Sequence, residues 1–202
     1  VTTATFISAA RSFAALVREI PSDAWGEPGL GEWDVRALVG HTSRSLTTVR
    51  SYLQTTAERE DIATPQEYYV RVTPSALGID PADVAERGRQ AGRDLGDDPA
   101  AAVDELVSGV TSDLAAIGDP LIAVIGGLGI RLRTYLPTRI FELAVHGMDI
   151  ARALDMPFRP PEAVLAEALD VATRTAIATG HGDSVLLALT GRSTLPPSFS
   201  VV

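Results

Sequence analysis

The chain contains three histidines and no cysteine, so metal or proton chemistry based on imidazole can involve very few positions. His146 stands four residues after Glu142 and three before Asp149. On a helix, offsets of i, i+4 and i+7 at roughly 100° per residue place these three side chains within a sector of about 60°. That stripe borders Leu143, Val145 and Ile150, so part of it should turn inward, where an uncompensated carboxylate is costly and a cation would compensate it. His41 has a similar setting, with Leu38 and Val39 before it and Leu46 after it. If the two segments are neighbouring helices, two imidazoles and one carboxylate can converge on one ion. Such a set suits Zn²⁺ and also Ni²⁺, Co²⁺ or Fe²⁺, and three protein ligands leave a coordination position open for water or substrate. A Glu-xxx-His pair also occurs as a solvated pair on a helix surface, and spacing alone leaves both readings open.

The elements that would position these residues can be read from periodicity. Phe6, Phe13, Leu16, Val17 and Ile20 recur at helical spacing until Pro21 closes the segment. Asp34 is placed to cap a second helix carrying Val35, Leu38, Val39, Leu46, Val49 and Leu53, predicted to run to about Ala57. The stretch from Glu58 to Asp80, with mixed charges, two tyrosines, Pro65 and Pro74, reads as a long crossover rather than a regular element. Asp80-Pro81 and Asp98-Pro99 are acidic caps followed by proline at the first helical position, and each opens a further helix. Leu121 to Ile125, a glycine cluster at Gly126, Gly127 and Gly129, and Ile130 to Arg133 could form a small hairpin. The pattern from Pro137 to Leu154 predicts the helix bearing Glu142 and His146. Helices over Pro161 to Thr179, and from a cap at Asp183 to Leu189, follow.

Composition narrows the function. With 202 residues and 46% hydrophobic residues, the chain can bury its own core. A net charge of -9 disfavours nucleic acid and anionic membrane as partners. Without cysteine there is no disulfide, no thiolate ligand and no thiol nucleophile, so sulfur chemistry would need a borrowed thiol. The Val1 to Ala4 start has no basic or apolar leader character, and the longest apolar run, Leu121 to Ile130, is too short to span a bilayer. The expected address is the cytoplasm.

Other residues are first given structural readings. His181, between two glycines, is expected in an exposed loop, and Trp25 and Trp33 as core or loop anchors. Arg131, Arg133 and Arg139 could bind an anion, though ion pairs with the many acids would also account for them; Arg139, three residues before Glu142, is the strongest of the three. The glycine cluster lacks the lysine-serine of a phosphate loop, and no His-Glu-x-x-His or Gly-x-Ser-x-Gly motif occurs.

Two segments carry a family resemblance. Gly31-Glu-Trp-Asp-Val-Arg-Ala-Leu-Val-Gly-His41 and Arg133-Thr-Tyr-Leu-Pro-Thr-Arg-Ile-Phe-Glu142-Leu-Ala-Val-His146-Gly-Met-Asp149 resemble the motifs of the mycothiol-dependent maleylpyruvate isomerase family. Leu186 to Arg192, with Leu195-Pro and Phe199 beyond, is similar to the tail of other members. The resemblance implies a mainly α fold: a DinB-like four-helix bundle with a long crossover over residues 1–158, and a short helical C-terminal extension over 159–202. It implies His41, Glu142 and His146 as ligands of one divalent metal, zinc first and nickel second. Asp149 would orient a histidine or an arginine, and Arg139 would touch an anionic group during catalysis. It further implies mycothiol or a similar small thiol as cofactor and a small electrophile as substrate, and a homodimer is compatible with it. Characterised isomerases carry a larger C-terminal domain that helps to form the active site. The stretch after about Arg159 is short here, so maleylpyruvate itself is not the expected substrate, and an S-transferase is equally compatible. A metal-dependent hydrolase and a non-catalytic binding bundle are the alternatives.

Overall fold

A computed structural model describes residues 2–73, 76–78 and 80–202, with the side chain of Pro81 left aside; Pro74, which falls in the expected crossover, lies outside the described residues. Helix α1 (Thr2–Arg18) buries the face formed by Phe6, Ala9, Ala10, Phe13, Leu16 and Val17. Helix α2 (Val35–Tyr52) begins where the Asp34 carboxylate accepts the Ala37 N–H at 2.7 Å, as an N-cap should. It ends at Tyr52, short of the expected Ala57. Tertiary pairing takes the chain away: Thr55 Oγ1 accepts the Ala123 N–H at 3.0 Å, and the Ala57 N–H goes to the Leu121 carbonyl at 3.3 Å.

The expected crossover contains a short helix, α3 (Pro65–Arg71), that the mixed charges hid. Thr64 occupies the N-cap position, Pro65 opens the helix, and Glu67 reaches back to accept the Ala63 N–H at 2.8 Å, close to a capping box. Helices α4 (Pro81–Asp94) and α5 (Pro99–Leu114) start as predicted, with Asp80 accepting from Ala82 at 2.8 Å and Asp98 from Ala101 at 3.0 Å.

Strands β1 (Leu121–Ala123) and β2 (Gly129–Arg131) form the expected antiparallel hairpin, with Ile122 opposite Ile130 and both fully buried. Gly126 and Gly127 make the turn at a φ of 74° each, a conformation that favours glycine. Helix α6 (Leu132–Ala153) starts earlier than the Pro137 signal implied. The chain before β1 provides its cap: Asp119 accepts the Arg133 N–H at 2.8 Å and the Pro120 carbonyl accepts the Leu132 N–H at 3.0 Å. Pro137 thus sits inside the helix, near its start, at the cost of one backbone donor. Helices α7 (Glu162–Ala178) and α8 (Gly182–Leu189) complete the chain. His181 rather than Asp183 holds the N-cap position of α8, and Asp183 takes the Ser184 N–H at 2.8 Å within the first turn.

Helices α1 and α2 each pack on both α5 and α6, so these four form the bundle with α1 and α2 at opposite corners. The class is mainly α with one small hairpin, and the arrangement agrees with a DinB-like bundle. Helix α4 lies on α2 at backbone contact: a Cβ on Gly40 would come within 2.1 Å of the Gly92 nitrogen. Helix α7 packs on α6, α1 and α3, and its Val164, Ala168 and Val171 join the same buried cluster as the bundle. Among the described residues, no helix is long and apolar enough to cross a membrane.

Candidate metal centre

Because α2 and α6 pack together, His41 and His146 meet edge to face, with ring centroids 5.0 Å apart and planes at 83°. One nitrogen from each imidazole and one Glu142 oxygen all lie within 4.8 Å of one another. Asp149 does not join them; it stands behind His146, with Oδ2 at 3.1 Å from Nδ1, while Nε2 lies 3.2 Å from Glu142 Oε2. The i, i+4, i+7 stripe therefore divides its labour. Glu142 and His146 face His41, and Asp149 fixes the orientation of the His146 ring. A carboxylate on the far nitrogen of an imidazole is the arrangement that aligns metal-binding histidines and raises their basicity.

Each of the three inward groups is held by a neighbour. Glu142 Oε1 accepts from the Tyr69 hydroxyl at 2.9 Å and lies 4.0 Å from the Arg139 guanidinium, so Oε2 is the oxygen turned to the histidines. The His41 ring stacks on Trp33, centroids 4.4 Å apart, and Trp33 Nε1 donates to the Ala85 carbonyl at 2.9 Å. Gly88 leaves the space that this indole fills. Arg139 is a largely but not fully buried cation: its guanidinium lies 5.2 Å from the Tyr68 ring and 5.0 Å from the Tyr135 ring, and Nε donates to Thr138 Oγ1 at 3.0 Å.

The electrostatics sort the site into different protonation states. Burial, then the charge of His146, pushes the His41 imidazole down to about 4, so it is neutral at physiological pH with a lone pair to give. Burial alone would raise the Glu142 carboxyl, but the His146 hydrogen bond, the Arg139 charge and the Tyr69 hydroxyl hold it down at about 2. Burial alone would lower His146, yet hydrogen bonds to Asp149 and Glu142 lift it to about 9. In the metal-free chain the His146 imidazolium thus lies between the Glu142 and Asp149 carboxylates, with one ring N–H toward each. A divalent ion fits this donor set: one neutral imidazole, one carboxylate and one imidazole that can trade its proton for the ion.

The family model for the mycothiol maleylpyruvate isomerase N-terminal domain matches residues 6–151. The chain belongs to this family. The segment it shares with mycothiol maleylpyruvate isomerase N-terminal domains runs from within α1 into the last turn of α6 and carries His41, Tyr69, Arg139, Glu142, His146 and Asp149. No curated protein and no solved structure matches the chain.

In this isomerase-family domain the site opens on a cavity of about 170 Å³, whose wall includes His41 and Glu142 beside Arg44, Arg87, Arg139 and Tyr52. A chain of net charge -9 therefore presents three arginines to one small cavity. Arg131 and Arg133 lie elsewhere, in exposed ion pairs with Glu60 at 3.8 Å and Asp119 at 3.2 Å, as their structural reading expects. His181 is exposed, against the Phe199 ring. Trp33 anchors its loop on α4, and its stacking on His41 also ties it to the site. Sequence reasoning missed Tyr68, Tyr69, Arg44 and Arg87. The first two could have been found from the Thr64-Pro65-x-Glu67 helix start, which brings the adjacent tyrosines onto a helix.

Proposed function

We propose that this domain is a divalent-metal-dependent, thiol-dependent S-transferase or isomerase acting on a small anionic electrophile. The observation that carries the reading is the convergence of His41, Glu142 and His146 within 4.8 Å, beside an arginine-lined cavity in a chain without cysteine. His41, Glu142 and His146 would hold zinc, or nickel in its place. A bound ion with an open position would take the sulfur of a mycothiol-type thiol and stabilise its thiolate at neutral pH.

The chain's own groups set the rest. Asp149 keeps His146 Nε2 turned to the site, and Trp33 keeps the His41 ring from rotating away. Arg139, on the cavity wall and braced by two tyrosine rings, is the contact for a carboxylate or similar group on the substrate. Arg44 and Arg87 extend the same positive wall. In this proposal residues 1–158 carry the site and residues 159–202 brace it through α7, in the cytoplasm, where a low-molecular-weight thiol is at hand.

The test combines metal analysis with turnover. Purified without an affinity tag, the protein is expected to bind about one equivalent of zinc, and His41→Ala and Glu142→Ala to lose it. Turnover of an anionic electrophile is expected to require both metal and thiol. Metal-dependent turnover without thiol would identify a hydrolase instead, and no metal after soaking at neutral pH would refute the catalytic reading.

A further inference from the structure

Tyr69 lies in α3, outside the bundle, yet its hydroxyl reaches the centre of the site. The hydroxyl oxygen is 2.9 Å from Glu142 Oε1 and 3.0 Å from the Thr138 carbonyl, so it faces two acceptors with one hydrogen to give. A carboxylate oxygen is a stronger acceptor than a backbone carbonyl, and Oε1 is the nearer of the two, so the hydrogen goes to Oε1. The ring is fixed edge-on against Phe141, centroids 5.3 Å apart, and against Tyr68 at 5.6 Å. Helix α3 itself packs on both α6 and α7. Arg139 approaches the same oxygen only to 4.0 Å, at the limit of an ion pair.

We infer that Tyr69 is a positioning residue of the metal centre: by occupying Glu142 Oε1 it makes Glu142 a one-oxygen ligand through Oε2 and builds α3 into the site. The inference rests on the reading of His41, Glu142 and His146 as metal ligands. A glutamate with both oxygens free can turn about its terminal bond or present both oxygens to an ion, and either change loosens a three-ligand set that relies on one carboxylate oxygen. Hydrogen-bond partners of metal ligands typically tune affinity by about 10- to 100-fold, and Tyr69 is the partner here whose loss leaves every ligand in place.

The experiment compares wild type with Tyr69→Phe, which keeps the ring and removes only the hydroxyl. Zinc affinity is measured by competition with a chelator, and the visible absorption of the Co²⁺-loaded protein reports the coordination. The variant is expected to bind zinc at least about tenfold more weakly, with a fainter Co²⁺ spectrum as the freed oxygen joins the ion. Equal affinity and an unchanged spectrum would overturn the inference while leaving the metal site standing; wild type that binds neither ion would instead refute the metal reading beneath it. Amide exchange on wild type gives a second readout that needs no variant. Zinc is expected to slow exchange over Pro65–Arg71, and unchanged exchange there with zinc bound would overturn the link between α3 and the site.

Discussion

Metal binding at this site is expected to be a proton exchange with a steep and calculable pH dependence. His146 is held protonated up to about 9 by Asp149 and Glu142, and an ion that takes Nε2 must expel that proton. At pH 7 only about 1% of the metal-free site is then ready, so apparent zinc affinity should rise about tenfold per pH unit and gain nearly 100-fold between about pH 6 and pH 8. His41 adds nothing in that window, because it loses its proton near 4. Above about 9 the curve should flatten. The assay is chelator competition across that range, corrected for the chelator's own protonation, beside calorimetry in two buffers, where about one proton should be released per zinc at pH 7. Asp149→Asn removes the hydrogen bond that raises His146 most and should move the plateau toward the ordinary histidine range. The metal-free protein supplies a control of defined sign. Its His146 pKa is raised on folding from 6.5 to about 9, so that contribution is fully present below 6.5 and is lost as pH rises through about 9. The shift corresponds to about 3 kcal/mol, as an order of magnitude. A flat affinity profile between about pH 6 and pH 8 would refute the assignment of His146 as a ligand that surrenders a proton, and a twofold steeper one would place a second proton on His41.

Two further outcomes follow from the packing. Gly40→Ala places a methyl group 2.1 Å from the Gly92 nitrogen, so α2 and α4 must separate, and urea denaturation should show a loss of about 2–3 kcal/mol. Zinc binding should change the fluorescence of Trp33, whose ring stacks on His41 at 4.4 Å; Trp33→Phe should abolish that change, whereas Trp25→Phe should leave it intact.

The site was legible to the extent that its residues repeat along a helix. Glu142, His146 and Asp149 announced themselves by an offset pattern that survives any packing arrangement, and Asp80, Asp98 and Asp34 by caps that act locally. Their split into inward groups and a supporting carboxylate was not legible. It depends on where α2 crosses α6, and that is set by contacts distant in sequence. The same reason explains the misplaced ends. Helix α2 stops at Tyr52 because Thr55 and Ala57 pair with the hairpin, and α6 begins at Leu132 because Asp119 and Pro120 cap it. Tyr69 was hidden twice over, by a segment whose composition resembles loop and by a partner that lies 73 residues away.

The glycine that follows His146 has a consequence beyond the site. A Cβ on Gly147 would lie 2.8 Å from Phe158, so the ring of Phe158 occupies the place of the missing side chain, directly behind the helix turn that carries the histidine. Phe158 lies past residue 151, where the match to the family model ends. The stretch covered by the family model therefore does not contain every group that steadies this site. Two members with the same histidines and glutamate can differ in how firmly they grip an ion, through a residue that a comparison of their shared segment never reaches. A protein cut at that limit would keep each residue proposed to touch the ion and lose the wedge that steadies one of them.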